Sequence, residues 1–260
     1  MKSKYYYLAA SLPLIELGSP LPFHFKMLRH FLRENLKLAD MEKVGTIRRY
    51  YDLKNMRALW TNGILLPYGN LNASELEEAV TSKSLLPEYV TDFLMRYPET
   101  SERIEAFPVL IKEYYEKESE LSAGFVKEYL LFERGWRLTL AAFRARSQGR
   151  DLLKEFQYEN TQDPLVMQLL LFKESKSFEP PTEFAGLKPL YEMHGNSPLE
   201  LHQALCEFRF RTIEDLVELD TFSIDRICAF LVQFIIAERY LDLDRHKGIK
   251  FIDSFTKEAS

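Results

Sequence analysis

The sequence predicts an all-α protein on three observations. Apolar residues recur at steps of three and four along most of the chain, the period that lines one helical face. Helix breakers are few, with 10 Gly and 12 Pro in 260 residues, and 19 Phe, 14 Tyr and 2 Trp supply large side chains for wide helix interfaces. No convincing run of strand alternation appears apart from a weak candidate at Tyr5–Leu12. Hydrophobic residues make up 46% and charged residues 28%, the usage of a folded chain and not of a disordered or fibrous one. The length suits one or two domains with a sizeable core.

The elements follow in chain order. From Phe23 to Ala39 the stripe Phe25, Leu28, Leu32, Leu36 and Ala39 predicts a first helix, introduced by Ser19, Pro20 and Pro22. Asp40, a good N-cap type, starts a second helix that runs to about Asn62, with Gly63 as its left-handed stop. Its stripe is Val44, Ile47, Tyr51, Asn55 and Leu59. Turn residues dominate Gly63–Asn72, after which short helices are expected at Ser74–Thr81, with a Ser74/Glu77 capping box, and at Pro87–Arg96. Phe125, Tyr129, Phe132, Trp136, Leu140 and Phe143 form the strongest pattern. It belongs to a long helix or a helix pair that breaks at Gly124 and ends near Gly149. Residues 174–198, rich in Pro and Gly, read as a linker or irregular region. Helical spacing returns at Leu201, Leu205 and Phe208 and again at Ile224, Ile227, Leu231, Phe234 and Leu241, the latter started by Thr221 or Ser223. The resulting division is an N-terminal helical module at 1–100, a long-helix middle module at 101–178 and a C-terminal helical module at 179–260.

Composition and motifs narrow the function classes. The net charge of −5 argues against a protein whose main task is to wrap a nucleic-acid backbone, so no nucleic acid is expected. Cys206 and Cys228 are too few for a disulfide scaffold and read as thiols of a reducing, cytoplasmic compartment. Lys2 and Lys4 precede an apolar run, but three tyrosines, Pro13 and Glu16 read against a signal peptide. Ile227–Ala237 is about half of the roughly 20 residues that cross a bilayer. There is no GxxxxGK[ST] phosphate loop, no GxGxxG and no HExxH helix, and the five histidines are scattered. His202 and Cys206, four apart, supply two zinc-ligand types, which is not a site. No cofactor or metal, and no enzymatic activity, is expected; a hydrolase or metal enzyme would need a pocket around Glu133, Glu238 or a histidine.

Two basic stretches interleave aromatics: Lys43, Arg48, Arg49, Tyr50, Tyr51, Lys54 and Arg57, then Arg134, Trp136, Arg137, Arg144, Arg146 and Arg150. The faces around Arg48 and Arg144 are candidate docking sites for acidic partners. More informative are polar residues set inside apolar stripes. Asn55 stands between Tyr51 and Leu59 on one face; Glu133 and Arg137 align with Val126, Leu130 and Ala141; Glu238, followed by Arg239, continues the Ile227, Leu231, Phe234 stripe. Glycines follow all three, at 63, 149 and 248.

The acid-x-x-Asn core Asp52–Asn55, followed by Pro67-Tyr68-Gly69-Asn70-Leu71 and Leu76-Glu77-Glu78-Ala79, resembles the helical repeats of the C subunit of V/A-type ATP synthases, called subunit d in eukaryotic V-ATPases. Over most of the chain, Tyr5–Pro13 and the Phe132-Glu133, Ala141-Ala142, Arg144-Ala145-Arg146 signature resemble a bacterial family encoded among V-type ATP synthase genes. The resemblance implies three helical bundles in a shallow funnel, and a non-catalytic central-stalk subunit seated between the membrane rotor ring and the D/F shaft. It also implies a location at the cytoplasmic face of the inner membrane, peripheral through protein contacts only. The chain is shorter than the C subunit, and Trp136 and Leu241 stand where its other repeats carry the Asn. A helical adaptor or assembly factor of the same ATPase is the alternative.

Overall fold

The structure, a computed structural model, describes residues 4–171, 179–217 and 220–258, with the backbone alone over 243–258. The expected all-α class is what forms: every regular element among the described residues is a helix. Contacts divide the chain into two compact units, 1–42 with 202–260, and 43–201. The expected modules at 1–100, 101–178 and 179–260 cut across this division, which falls inside two helices.

The first unit contains α1 (Tyr6–Ser11), α2 (Phe25–Asn35), the start of α3 (Leu38–Trp60), most of α12 (Pro198–Asp215) and α13 (Ile224–Glu258). Its core joins Phe25, Leu28 and Leu32 of α2 with Ile227, Leu231 and Phe234 of α13, all buried, and Phe23 stacks on Phe234 at 5.4 Å. The weak strand candidate at the start is helix α1. The helix expected over Phe23–Ala39 stops at Asn35, whose side-chain amide donates to the Phe31 carbonyl at 2.9 Å while Leu36 turns extended. The next helix starts at Leu38, ahead of Asp40. Asp40 is not a cap: its carboxylate accepts from the Tyr5 hydroxyl at 2.5 Å, and the same hydroxyl accepts from the Lys37 amide. Ser223 starts α13 as expected, its Oγ accepting from the Arg226 amide at 3.2 Å. Gly248 ends nothing, because α13 continues past it to Glu258.

The second unit holds the rest of α3, then α4 (Ala73–Ser82), α5 (Glu88–Arg96), α6 (Thr100–Glu105), α7 (Phe107–Leu121) and α8 (Phe125–Ser147). It closes with α9 (Leu152–Glu155), α10 (Pro164–Leu171) and α11 (Leu187–His194), so helical structure occupies part of the segment expected to be irregular; residues 174–178 of that segment lie outside the described ones. α7 and α8 are neighbours, and α8 at 23 residues is about 34 Å long. Its stripe buries Phe125, Tyr129, Trp136, Leu140 and Phe143 as the spacing predicts, with Phe132 half-buried. A tyrosine cluster ties α3 to α7: Tyr50 meets the rings of Tyr114 and Tyr115 at 6.0 and 6.1 Å, and the Tyr114 hydroxyl donates to the Thr46 carbonyl.

Helix ends follow local chemistry, with two shifts from expectation. Gly149 is left-handed at φ 63 and closes α8 through Arg150 N–H to the Ala145 carbonyl, as expected. At the end of α3 the left-handed residue is Asn62, at φ 51, while Gly63 follows it and donates to the Ala58 carbonyl at 2.7 Å. Asn tolerates this conformation, so the motif sits one residue early. The capping box of α4 is likewise Asn72 with Glu75, two residues before the expected Ser74 and Glu77. Gly124 separates α7 from α8 with φ 61 and ψ −145, a region open essentially to glycine alone. Gly124→Ala is expected to destabilise the protein by about 1 to 3 kcal/mol, measured by urea unfolding followed by circular dichroism; a change under about 0.5 kcal/mol would show the turn to be relaxed.

Candidate functional site

Along α3, Gly45, Arg48, Asp52 and Asn55 are spaced 3, 4 and 3, one helical face. Arg48, Asp52 and Asn55 are 5%, 5% and 3% exposed, so their polar groups must find partners inside the protein. The loop between α3 and α4 supplies them. Asn55 closes a two-way pair with Leu66, donating from Nδ2 to its carbonyl at 2.9 Å and accepting its N–H at 2.7 Å. Asp52 accepts the Leu71 N–H at 3.1 Å and the Asn70 side-chain amide at 2.8 Å; that amide also donates to the Gly45 carbonyl at 2.9 Å. Arg48 donates from Nε to the Tyr68 carbonyl at 3.0 Å and from Nη2 to the Gly69 carbonyl. Gly69 is required by close approach, since a Cβ there would meet Asp52 Oδ1 at 2.5 Å. The Tyr68 ring packs edge-on against Tyr51 at 5.1 Å.

Burial pushes the Asp52 carboxyl above its ordinary range, opposed by the hydrogen bonds from Leu71 and Asn70 and by the charge of Arg48. Arg48 therefore does not belong to a solvated basic face that docks partners: it is a buried bracket for two loop carbonyls. Arg49, one residue on, is also engaged. It pairs with Glu118 of α7, which accepts from the Tyr89 hydroxyl of α5 at 3.0 Å as well.

A second polar arrangement lies on α8. Arg134 donates to Asp163 at 2.9 Å, and Arg137 pairs with Glu159, a residue whose side chain is 4% exposed. Asp163 simultaneously caps α10 by accepting the N–H groups of Leu165 and Val166 at 3.0 and 3.2 Å. Glu133 is buried at 6%. Arg144 and Arg146 are exposed at the end of α8, and Arg144 hydrogen-bonds Tyr191, whose ring stacks on Phe143 at 4.3 Å.

The nine residues singled out from the sequence do not converge on one site. Asp52 and Asn55 act together; Arg57 lies outside, over the Phe107 ring at 5.3 Å. Glu133, Arg137, Arg144 and Arg146 are spread along α8. Glu238 and Arg239 belong to the first unit, where Glu238 accepts the Phe25 N–H at 3.2 Å and so caps α2, and Arg239 is exposed. Glu118, Glu159 and Asp163 escaped the sequence reading, which placed Arg48 on a basic docking face and Gly69 and Asn70 in a turn-rich segment. The 3-4-3 spacing of Gly45 to Asn55 was the available signal that Arg48 shares a face with Asp52 and Asn55.

His202 Nε2 and Cys206 Sγ are 3.3 Å apart, but no group of three metal-ligand side chains occurs among the described residues. Burial pushes the Cys206 thiol up, against the charges of Arg209 and Arg239. No described helix is long and apolar enough to cross a membrane.

Residues 1–259 match a family described as "Protein of unknown function (DUF2764)". Relatives include proteins of Chlamydia trachomatis serovar D, 26% identical over 97% of both chains, and of Chlamydia muridarum, 25% identical over 98% of both. A third, from Chlamydia pneumoniae, is 27% identical, again over 98% of both; all three are described as uncharacterized proteins. No solved structure matches.

Two outcomes test the α3 bracket. Asn55→Ala leaves the Leu66 amide and carbonyl unpaired and is expected to cost about 1 to 3 kcal/mol in urea unfolding; no loss would mean that the loop is held otherwise. The raised Asp52 value makes the folded state bind its proton more tightly than the unfolded chain. That contribution is complete below the unfolded value near 3.8 and is lost as pH rises through the raised folded value. The stability of wild type relative to Asp52→Asn should therefore fall over that window and then level off. A difference that grows with pH would mean that the carboxyl is held down instead.

Proposed function

The chain belongs to the DUF2764 family, and we propose that it is a non-catalytic central-stalk coupling subunit of a V-type ATP synthase. It would connect the membrane rotor ring to the D/F shaft, peripheral at the cytoplasmic face of the inner membrane through protein contacts only. The observation that carries this reading is the use made of the buried polar side chains. Arg48, Asp52 and Asn55 pin a loop to α3, Arg49 and Tyr89 converge on Glu118, and Arg134 and Arg137 hold the segment before α10. A part that passes torque works through shape and resistance to shear, which long helices with fastened connections provide. The likeness of the Asp52–Ala79 segment to the C-subunit repeat supports the choice of partners, and the funnel of three bundles is part of the same proposal. No cofactor and no nucleic acid enters it.

Mass spectrometry of the intact V-type ATP synthase is expected to find one copy of this chain, removed together with the D subunit or the rotor ring. Absence from an otherwise complete complex overturns the proposal. Recovery only from partly assembled complexes would replace it with the assembly-factor reading.

A further inference from the structure

Within the first unit, α2 has one apolar side and one basic side. Phe25, Leu28 and Leu32 are buried, and through them the helix packs on α13. At 3.6 residues per turn, Lys26, Arg29, His30 and Arg33 fall within about 100° on the opposite side, and all four are exposed. Lys37, also exposed, follows just past the helix end. Lys26, Arg29 and Lys37 have no acidic partner among the described residues. Glu34, the single acid of the helix, is reached only loosely, by Arg33 and His30 at 3.9 Å each. The chain as a whole has a net charge of −5, so this row of cations runs against its composition. Helix stability does not account for it either. Lys26 stands in the first turn, where the dipole disfavours a cation and where α2 carries no acid of its own, and Glu238 of α13 is engaged there by the Phe25 N–H.

We propose that this side of α2 docks an acidic helix of a partner protein, whose carboxylates, one turn apart, meet Lys26, Arg29 and Arg33 in succession. The cations are spaced three and four, the spacing at which a second helix presents side chains along one face. Arg29 and Arg33 offer planar forks that hold carboxylates through paired hydrogen bonds. A carboxylate beside Lys26 also supplies the negative charge that the first turn of α2 lacks. Met27, 50% exposed at the edge of the row, adds the apolar contact that accompanies arginine in protein interfaces. A lipid surface fits less well. The apolar side of α2 is already used on α13, so the helix has nothing to insert, and attraction of about 1 kcal/mol per cation does not by itself anchor a protein. Nucleic acid fits less well too, because the row presents no exposed aromatic ring on which a base could stack. The proposal goes beyond the coupling role above and stands or falls without it.

The test uses the purified full chain and a fluorescein-labelled, alanine-based helical peptide of about 20 residues with glutamates three and four apart along one face. A peptide of the same composition with its glutamates scattered around the helix is the comparison. Saturable binding by fluorescence anisotropy is expected, about tenfold tighter for the one-face peptide and weakening as salt is raised. Arg29→Glu combined with Arg33→Glu, or the two Arg→Gln changes if that variant unfolds, should weaken it about tenfold, with circular dichroism and Tm unchanged. Lys127→Glu, at an exposed cation of α8, should leave it as it was. No saturable binding, equal binding of the two peptides, or equal binding to the Arg29 and Arg33 variant overturns the inference. Tighter binding to phosphatidylglycerol vesicles or to polyuridylate, lost in the same variant, also overturns it and assigns the row to lipid or to nucleic acid.

Discussion

A helix face that buries an arginine, an aspartate and an asparagine is tolerable only where every donor and acceptor on it is matched. On α3 the matching comes from backbone. Arg48 takes two loop carbonyls, Asp52 a loop amide and the Asn70 side chain, and Asn55 both groups of Leu66. Three side chains at i, i+4 and i+7 give the loop between α3 and α4 the fixed path that a neighbouring strand would give in a sheet. The start of α4 follows from that path, since its cap, Asn72, comes directly after the pinned Leu71.

Within the same unit, α8 fastens its connection through ion pairs, and Arg134 Nε, Arg137 Nε and Glu159 Oε2 are left without a hydrogen-bond partner among the described residues. There the helix carries the cations and the connecting segment the acids, with Asp163 serving both Arg134 and the first turn of α10. Between these, Glu118 of α7 is reached from α3 by Arg49 and from α5 by Tyr89. Tyrosines pack between α3 and α7, and the buried Tyr114 hydroxyl donates to the Thr46 carbonyl. Connections fastened in this way resist sliding of one helix on another, the mechanical property that the proposed coupling role would require.

The helices themselves were legible because periodicity is a property of each segment alone. The stripe from Phe125 to Phe143 identified α8, and Gly124 and Gly149 marked its ends, since both positions demand backbone that other residues adopt at a cost. Boundaries set by distant groups were not legible. α2 starts at Phe25 under the carboxylate of Glu238, 213 residues away, and the Tyr5 hydroxyl engages both Lys37 and Asp40 at the entry to α3. Asn62 in place of Gly63, and Asn72 in place of Ser74, show that near-equivalent capping residues within two positions are separated only by the path that the following chain takes.

The candidate site divides the same way. Composition and spacing alone determined an all-helical body and singled out Asn55 as a polar group on an apolar face. Only the tertiary structure decided that Arg48 is a bracket and not a surface charge, that Arg137 is drawn to Glu159, and that Arg57 lies over the Phe107 ring. The physical reason is that a charge reads identically in sequence whether water or a buried carbonyl solvates it. Which of these does so depends on chain brought in from another element.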